Sequence, residues 1–289
     1  MKIRDFIQEN FLIDDAETGE LIPFKFNSVQ DKYYDLLCAD YSEDNNFSGA
    51  RELDYKARKE GFTSMWLAIF AAILLLVKHS SRFLEISYKD EATIQHFRRI
   101  KNFILSTYQK NPSKWSKKLE NTIFASFNEG SEFVLSENRG SFYCGTANTK
   151  TAERGGTVQG VLFSEAAHYP NTGIIKAAEI IDGTKAMVKV GTGIVVQETT
   201  VNGFNFWKKT WDMARHGEIS FKPRFFGWRE FYTEQEYKRI YAEATDKEKV
   251  KQEYPENEME GFISTGECYF DKNSLAEYMK QVDKTIAVY

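Results

Sequence analysis

The stretch KARKEGFTS, residues 56–64, has the spacing of a phosphate-binding loop but lacks the lysine that completes this motif. On the template G-x-x-x-x-G-K-[ST], Gly61 takes the place of the second glycine and Thr63 supplies the hydroxyl. Phe62 stands where the lysine belongs, and Lys56 stands at the first glycine. The stretch is therefore either a variant nucleotide site or a basic turn before a core helix.

Charged and hydroxyl side chains around this loop offer substitutes for the missing lysine. A helix predicted to begin near Thr63 would direct its backbone N–H groups at an anion. Arg58 can bind a phosphate through two parallel hydrogen bonds, and Lys56 is a second candidate. The hydroxyl of Thr63 would serve as a ligand of Mg²⁺. The residues that we predict to hold a nucleotide here are Lys56, Arg58, Lys59, Glu60, Gly61, Phe62, Thr63 and Ser64.

A second candidate cluster lies in VLFSEAAHYP, where an apolar strand is followed by Ser164 and Glu165. In phosphoryl-transfer sites, two acidic groups at such a strand end hold Mg²⁺ and align the attacking water. Ser164 stands where an aspartate is expected, and it could hold a metal-bound water without adding charge. Glu165 is then the lone carboxylate, suited to orienting or activating water. The alternative is an acidic cap at the end of the strand.

A third cluster, QETTVNGFNFW, repeats this design with Glu198, Thr199 and Thr200 at the end of an apolar strand. The two threonines could sense the γ-phosphate of a nucleotide, or the segment could be an ordinary exit from a strand into a turn. In open parallel sheets, ligands bind at the carboxyl ends of the strands. We therefore expect the three clusters to converge on one site.

Two single residues complete the candidate site. Gln30, after FKFNSV, could hydrogen-bond an adenine edge, or it could be a surface glutamine. Arg154, in the glycine-flanked loop TAERGGT, could reach a neighbouring subunit's site as an arginine finger, or it could be a solvated loop charge.

Composition excludes several classes of protein. The 289 residues carry a formal net charge of −4, which gives no general argument for nucleic-acid binding but leaves room for a local basic track. The three cysteines are far apart, so neither a zinc site nor a disulfide framework is indicated. The longest apolar run, residues 65–77, is shorter than the roughly 20 residues of a membrane span, and it predicts a buried helix.

Apolar strands alternate with helical segments along the chain. We predict strands near residues 53–57 and 83–88 and a helix over 90–107. This alternation predicts an α/β fold with a mostly parallel sheet covered by helices on both faces. The charge-rich segment 243–260 predicts a solvated helix and loop.

In the order of its motifs the sequence resembles the large terminase subunit of tailed bacteriophages, the ATP-driven DNA-packaging motor. The motifs are FKFNSVQ, KARKEGFTS, FLEISYKDEATIQHF, RGGT, VLFSEAAH, QETTVNGFNFW and FFGWREFY, and they span nearly the whole chain. The resemblance implies a P-loop NTPase fold of the ASCE (RecA-like) class, with ATP and Mg²⁺ as its ligands.

The resemblance also implies a role for each cluster. Arg58 matches the early-loop arginine that replaces the usual lysine in such terminases, with Lys56 as a second candidate. Glu165 matches the catalytic glutamate, whereas Ser164 departs from the usual aspartate, so metal contact there is expected only through water. Arg154 matches the position of an arginine finger that acts in trans. The segment that couples hydrolysis to movement matches Glu198, Thr199 and Thr200.

The resemblance further implies the domain organisation and the partners. Residues 1–262 would form the ATPase motor domain, with 1–50 as its helical, adenine-side segment, and residues 263–289 would lead toward an absent C-terminal nuclease domain. No DNA cleavage is then expected from this chain. The implied partners are double-stranded DNA, the portal ring, the small terminase subunit and further copies of the chain in a ring, with no membrane. The implied location is the host cell cytoplasm, at the portal vertex of the procapsid.

Two other functions stay open at this point. A helicase-like ATPase would share the core, but such families usually keep the lysine and a D-E-x-H/D box and add a second motor domain. A non-catalytic scaffold that binds DNA or the portal ring would account for the missing lysine and aspartate.

Overall fold

The computed structural model of the chain describes residues 2–15, 17–147, 156–172 and 175–263. The helices are α1 (Ile3–Asn10), α2 (Ser28–Asp40), α3 (Phe62–Leu76), α4 (Asp90–Tyr108), α5 (Lys117–Ile123), α6 (Ala177–Lys185), α7 (Phe206–Arg215), α8 (Glu234–Glu243), α9 (Lys247–Glu253) and α10 (Glu258–Ile263). The strands are β1 (Leu12–Asp14), β2 (Leu21–Pro23), β3 (Arg51–Lys56), β4 (Arg82–Ser87), β5 (Phe124–Asn128), β6 (Glu132–Leu135), β7 (Ser141–Thr146), β8 (Gly160–Ser164), β9 (Asn171–Thr172), β10 (Ile175–Lys176), β11 (Ile194–Thr199) and β12 (Lys222–Phe226).

An 8-stranded sheet forms the centre of the fold, in the order β12-β3-β11-β8-β4-β7-β6-β5. The strands from β12 to β7 run parallel to their neighbours, and only β6 and β5 at one edge pair antiparallel. Helices cover both faces, so the predicted α/β fold with a mostly parallel sheet is confirmed. Strands β3, β11 and β8 are direct neighbours, which brings their carboxyl ends together.

Helix α3 is apolar around its whole circumference because it is buried on every side. Its residues from Met65 to Leu74 are at most 3% exposed, and it packs against α1 and α4 beneath the sheet. Together with α2 these helices form one hydrophobic core, while α6 and α7 pack on the opposite face of the sheet. The predicted helices at residues 63 and 90 begin within one residue of α3 and α4.

The prediction of a solvated segment over residues 243–260 is wrong in part. Val250 of α9 is buried, and the buried side chain of Gln252 donates a hydrogen bond of 2.6 Å to the carbonyl of Val201. Helix α9 therefore packs against the loop that follows β11. Within the described ranges, none of the helices combines the length and the apolar character that a membrane crossing demands.

Candidate functional site

The three polar clusters meet at the carboxyl ends of neighbouring strands. Strand β3 ends at Lys56, β8 ends at Ser164 next to Glu165, and β11 ends at Thr199. Because β11 pairs with both β3 and β8 in parallel register, these ends lie side by side at one edge of the sheet.

The buried amino group of Lys56 lies between two carboxylates. Its Nζ is 2.7 Å from Glu165 Oε1 and 3.3 Å from Glu198 Oε2, and its side chain is only 5% exposed. Burial alone would lower the pKa of Lys56, but the two carboxylates more than offset this and raise the pKa above its ordinary value. The lysine therefore carries its positive charge at the centre of the site.

Glu198 is the hydrogen-bonding centre of the site. Thr63 Oγ1, in the first turn of α3, donates to Glu198 Oε1 at 2.7 Å, and Ser164 Oγ donates to the same oxygen at 2.6 Å. Two hydroxyls and a carboxylate thus converge at the strand ends. Oxygen atoms of this kind are the ligands that Mg²⁺ takes alongside substrate phosphates. No group of three or more His, Cys, Asp and Glu side chains that could hold a metal ion occurs among the described residues.

Glu165 has an unusual backbone conformation and a strongly acidic carboxyl group. Its φ of +53° lies in the left-handed region, which β-carbon-bearing residues adopt at a cost and which is common at functional sites. Its Oε2 accepts hydrogen bonds from the backbone N–H of Thr200 at 2.9 Å and from the hydroxyl of Thr200 at 3.2 Å. Burial alone would raise the pKa of Glu165, but Lys56, assisted by His168 and the Thr200 N–H, lowers the pKa to about 2.

Thr199 and Thr200 connect Glu165 to the end of β11. Thr199 Oγ1 lies 3.4 Å from Glu165 Oε2 and accepts a hydrogen bond from the backbone N–H of Ala167 at 3.2 Å. His168 Nε2 lies 3.0 Å from the hydroxyl of Thr200. A displacement of this strand end would therefore move the carboxylate of Glu165.

Arg58 lies at the rim of the site and pairs away from its centre. Its side chain is 53% exposed, and its guanidinium contacts the carboxylate of Glu253 in α9. Its backbone N–H also donates to the carbonyl of Glu253 at 2.9 Å, and Tyr232 donates to its carbonyl at 2.8 Å. The two candidate cations thus differ sharply: Lys56 is buried between two carboxylates, whereas Arg58 is exposed and pairs with Glu253 of α9.

The loop between β3 and α3 is shaped by Gly61 and Gln30. Gly61 has a φ of +82° at the amino end of α3, and its carbonyl accepts a hydrogen bond of 2.7 Å from Gln30 Nε2. Gln30 Oε1 accepts from the backbone N–H of Asn27 at 3.0 Å, which forms a capping box at the start of α2. Gln30 is buried and supports the loop, and its contact with an adenine edge stays a prediction.

The remaining loop residues divide between the core and the surface. Phe62, in the lysine position of the template, is fully buried and stacks on Tyr33 with ring centroids 4.9 Å apart. Glu60 is also fully buried, and burial raises its pKa well above the ordinary value, although Lys56 acts in the opposite direction. Lys59 is exposed with a φ of +63°, and Ser64 is buried in the first turn of α3.

A cavity of about 640 Å³ lies at these strand ends, a volume within the range of small-molecule sites. Several of its lining residues were not predicted from the sequence: Tyr88, Ala92, His96, His168, Asn202, Asp246, Lys249, Gln252 and Glu253. His96 lies between Gln95 and Phe97 in an amphipathic helical pattern, and this pattern contains no signal that marks His96 as a site residue. A helix was predicted within residues 243–260, but the packing of α9 beside the cavity was not, because its charged residues are typical of a solvated helix. Arg154 and the segment 264–289 lie outside the described residues.

Comparisons with solved structures show the fold. The large terminase of bacteriophage HK97 aligns with 97% of this chain at a TM-score of 0.55 and 16% identity, and this chain spans 51% of that protein. The ATPase domain of the Thermus phage P74-26 large terminase, in its R139A mutant form, aligns with 80% of this chain, over 93% of its own length, at a TM-score of 0.54 and 15% identity. No protein-family model and no curated protein sequence matches the chain. The chain therefore has the α/β fold of large terminase ATPase domains, as the resemblance in its motifs implied.

Proposed function

We propose that this chain is the ATPase domain of a viral DNA-packaging terminase. In this proposal the cleft hydrolyses ATP with Mg²⁺, and hydrolysis drives double-stranded DNA into a procapsid. The observation that carries the proposal is the convergence of Lys56, Thr63 and Glu165 at the carboxyl ends of neighbouring parallel strands. A cation, a helix amino end with a hydroxyl, and an ionised carboxylate are the parts that phosphoryl transfer needs.

Lys56 is the phosphate cation in this proposal, in preference to Arg58. The amino group of Lys56 is buried at the end of the strand that leads into the loop, next to the carboxylate that would face the attacking water. An ammonium in such a poorly solvated position interacts more strongly with a phosphate than an exposed guanidinium does. Arg58 would have to leave Glu253 to reach the same group.

The oxygen atoms around Glu198 would hold the metal. Thr63 would ligate Mg²⁺ directly, Ser164 would act through a water, and Glu198 would accept hydrogen bonds from both hydroxyls or from metal-bound water. When bound, Mg²⁺ supplies charge neutralisation at the β- and γ-phosphate oxygens. The missing aspartate at position 164 is offset by the carboxylate of Glu198 on the neighbouring strand.

Glu165 would orient the attacking water. In the nucleotide-free site, Lys56 lowers the pKa of Glu165 to about 2, so this carboxylate is ionised at neutral pH and can accept a hydrogen bond from the water. Thr199 and Thr200 hold its second oxygen, so movement at the end of β11 and movement of Glu165 are linked. We propose that this linkage is how Glu198, Thr199 and Thr200 couple hydrolysis to motion.

Assembly completes the proposed motor. Copies of the chain would form a ring on the portal in the host cell cytoplasm, with the small terminase subunit as a further partner. Arg154 would reach the site of a neighbouring copy, and DNA contact would be made with backbone phosphates, independent of sequence and sensitive to salt.

The test is an ATP hydrolysis assay with the wild-type chain, Glu165→Gln and the matched control Glu179→Gln, whose side chain is 69% exposed on α6. We expect hydrolysis by the wild type and the control, and a loss of at least about 100-fold in Glu165→Gln with nucleotide binding retained. Absence of both binding and hydrolysis in every form would contradict the proposal and favour a non-catalytic scaffold. Equal hydrolysis in all three would exclude the assigned role of Glu165.

A further inference from the structure

A buried carboxylate–histidine pair stands beside the cleft. Glu85, in β4, is 0% exposed, and its Oε1 lies 2.9 Å from Nδ1 of His96 in α4. Ser87 Oγ donates to the same oxygen at 2.6 Å and lies 3.1 Å from His96 Nδ1. None of these three side chains contacts Lys56, Thr63 or Glu198 among the described contacts.

The contacts at Nδ1 define the tautomer of His96. The Ser87 hydroxyl donates its hydrogen bond to Glu85 Oε1. Ser87 Oγ and Glu85 Oε1 therefore both face Nδ1 as acceptors. An unprotonated Nδ1 would place its lone pair against the carboxylate. Nδ1 therefore carries a proton, and in the tautomer with this single ring proton Nε2 is a hydrogen-bond acceptor.

The cost of burying Glu85 calls for a function. A carboxylate in an apolar strand is expensive unless it is well paired, and besides Ser87 and His96 the partner of Glu85 in the described part of the chain is the weakly donating thiol of Cys144. On the neighbouring strand, Cys144 lies opposite Glu85, which leaves the carboxylate among apolar and weakly polar atoms. Orientation of the histidine by a fixed carboxylate is a common reason for such an arrangement.

His96 lines the same cavity as Glu165 and as Thr63 of the phosphate loop. Strand β4 pairs with β8 on the side away from β11 and β3, and Ile86 stands opposite Phe163 in this pairing. The ends of β4 and β8 are thus neighbours about 4.8 Å apart. Glu165 lies between the loop that would hold the phosphates and the wall that carries His96.

We infer that His96 accepts a hydrogen bond from the hydrolytic water through Nε2, with Glu85 as its positioning residue. The inference rests on the proposed ATPase function and adds a second water-orienting group to Glu165. No proton transfer is required of the histidine: it restricts the orientation of the water. The water oxygen bonds to the γ-phosphorus as the bond to ADP breaks, and the proton of the water passes to the phosphate that is released.

Two substitutions at position 96 separate this role from a structural one. The amide of His96→Asn replaces Nδ1, so it keeps the bond to Glu85 and removes the Nε2 acceptor. The longer His96→Gln places its amide near Nε2 instead. We expect His96→Asn to lower kcat at least about tenfold with KM and unfolding temperature little changed, and His96→Gln to retain more of the kcat. His79→Asn, on the loop before β4, is the matched control and should behave as the wild type.

A readout independent of turnover is the ¹⁵N spectrum of the four histidine rings. His96→Asn identifies the His96 signals, and we expect a protonated Nδ1 and an unprotonated Nε2 in the wild type. Addition of ADP, Mg²⁺ and aluminium fluoride, a mimic of phosphoryl transfer, should shift the His96 Nε2 signal and leave His79 unchanged.

The outcomes distinguish the two proposals. If His168 shifts but His96 Nε2 does not, or if His96→Asn keeps full kcat, the role of His96 is refuted while the ATPase function stands. If no nucleotide binds and no histidine responds, the proposed function fails, and the inference fails with it.

Discussion

Substitutions of Lys56 and Arg58 should weaken nucleotide binding to very different extents, although the two residues lie two positions apart. Lys56→Met removes a buried charge at the carboxyl end of β3, next to Glu165, and should weaken binding of ATPγS about 10- to 100-fold, the effect of one lost charge-assisted hydrogen bond. Arg58→Met removes an exposed guanidinium that already pairs with Glu253 and should weaken binding less than about fivefold. Isothermal titration of protein checked for folding by circular dichroism measures both.

The reverse order of affinities would assign the phosphates to Arg58, as the resemblance in the sequence first indicated. Lys56→Arg is the control for charge. It should restore more affinity than Lys56→Met, since the guanidinium keeps the positive charge between Glu165 and Glu198.

Glu60 should make the protein less stable as the pH rises. Its pKa is raised on folding by burial, so above about 4.3, the ordinary pKa of a glutamate, ionisation favours the unfolded chain. Glu60→Gln removes this effect and should raise the free energy of unfolding at pH 8 by more than at pH 4. Urea unfolding at both pH values tests this, with the exposed Glu91→Gln as control. An equal effect at the two pH values would contradict the assigned shift.

Glu165 should have the opposite effect to Glu60 and make the protein less stable as the pH falls. The pKa of Glu165 is lowered on folding, so its contribution is present above about 4.3 and is lost as the pH falls toward 2. Glu165→Gln should therefore flatten the fall in stability in this window.

At the scale of elements, the turn into α3 depends on a glycine for two reasons. Gly61 has a φ of +82°, and an added Cβ would lie 2.5 Å from Gln30 Nε2. Gly61→Ala should lower the free energy of unfolding by about 1–3 kcal/mol and also weaken nucleotide binding. Gly130→Ala, at a φ of +87° with open space around it, carries only the backbone strain and is the matched control. Equal losses in both variants would show that the contact with Gln30 has no effect.

The edge strand β12 is attached to the sheet through a buried ion pair. Arg224 donates to Glu52 of β3, which is 0% exposed, and to Asp40 of α2. Arg224→Ala leaves Glu52 buried without its partner and should cost about 3–5 kcal/mol in urea unfolding. Arg229→Ala, in ion pairs about half exposed, should cost less than about 1 kcal/mol. A small loss in Arg224→Ala would mean that solvent reaches Glu52.

At the scale of the whole molecule, local patterns predicted the fold because each strand and helix carries its own signal. The apolar strands that end at Lys56, Ser164 and Thr199 and the uniformly apolar α3 leave little alternative to a parallel α/β sheet. Their convergence followed from the general rule for strand ends in such sheets.

The details of the site could not be predicted because they depend on distances between remote segments. Nothing local distinguishes Lys56 from Arg58. The difference arises from the order of β3, β11 and β8, which puts Glu165 and Glu198 around the amine of Lys56, whereas the guanidinium of Arg58 pairs with Glu253 of α9. The pair of Glu85 and His96 likewise forms only when α4 folds back on β4. The packing of α9 beside the cleft rests on Val250 and Gln252 within a run of charged residues.

The most direct test is a crystal structure of the wild-type chain with ATPγS and Mg²⁺. We predict density for the triphosphate at the amino end of α3, with Lys56 Nζ on the β- and γ-phosphates, Thr63 on the metal, and Glu165 facing the γ-phosphorus. A nucleotide bound elsewhere, or phosphates held by Arg58 while Lys56 keeps its contacts with Glu165 and Glu198, would contradict this account.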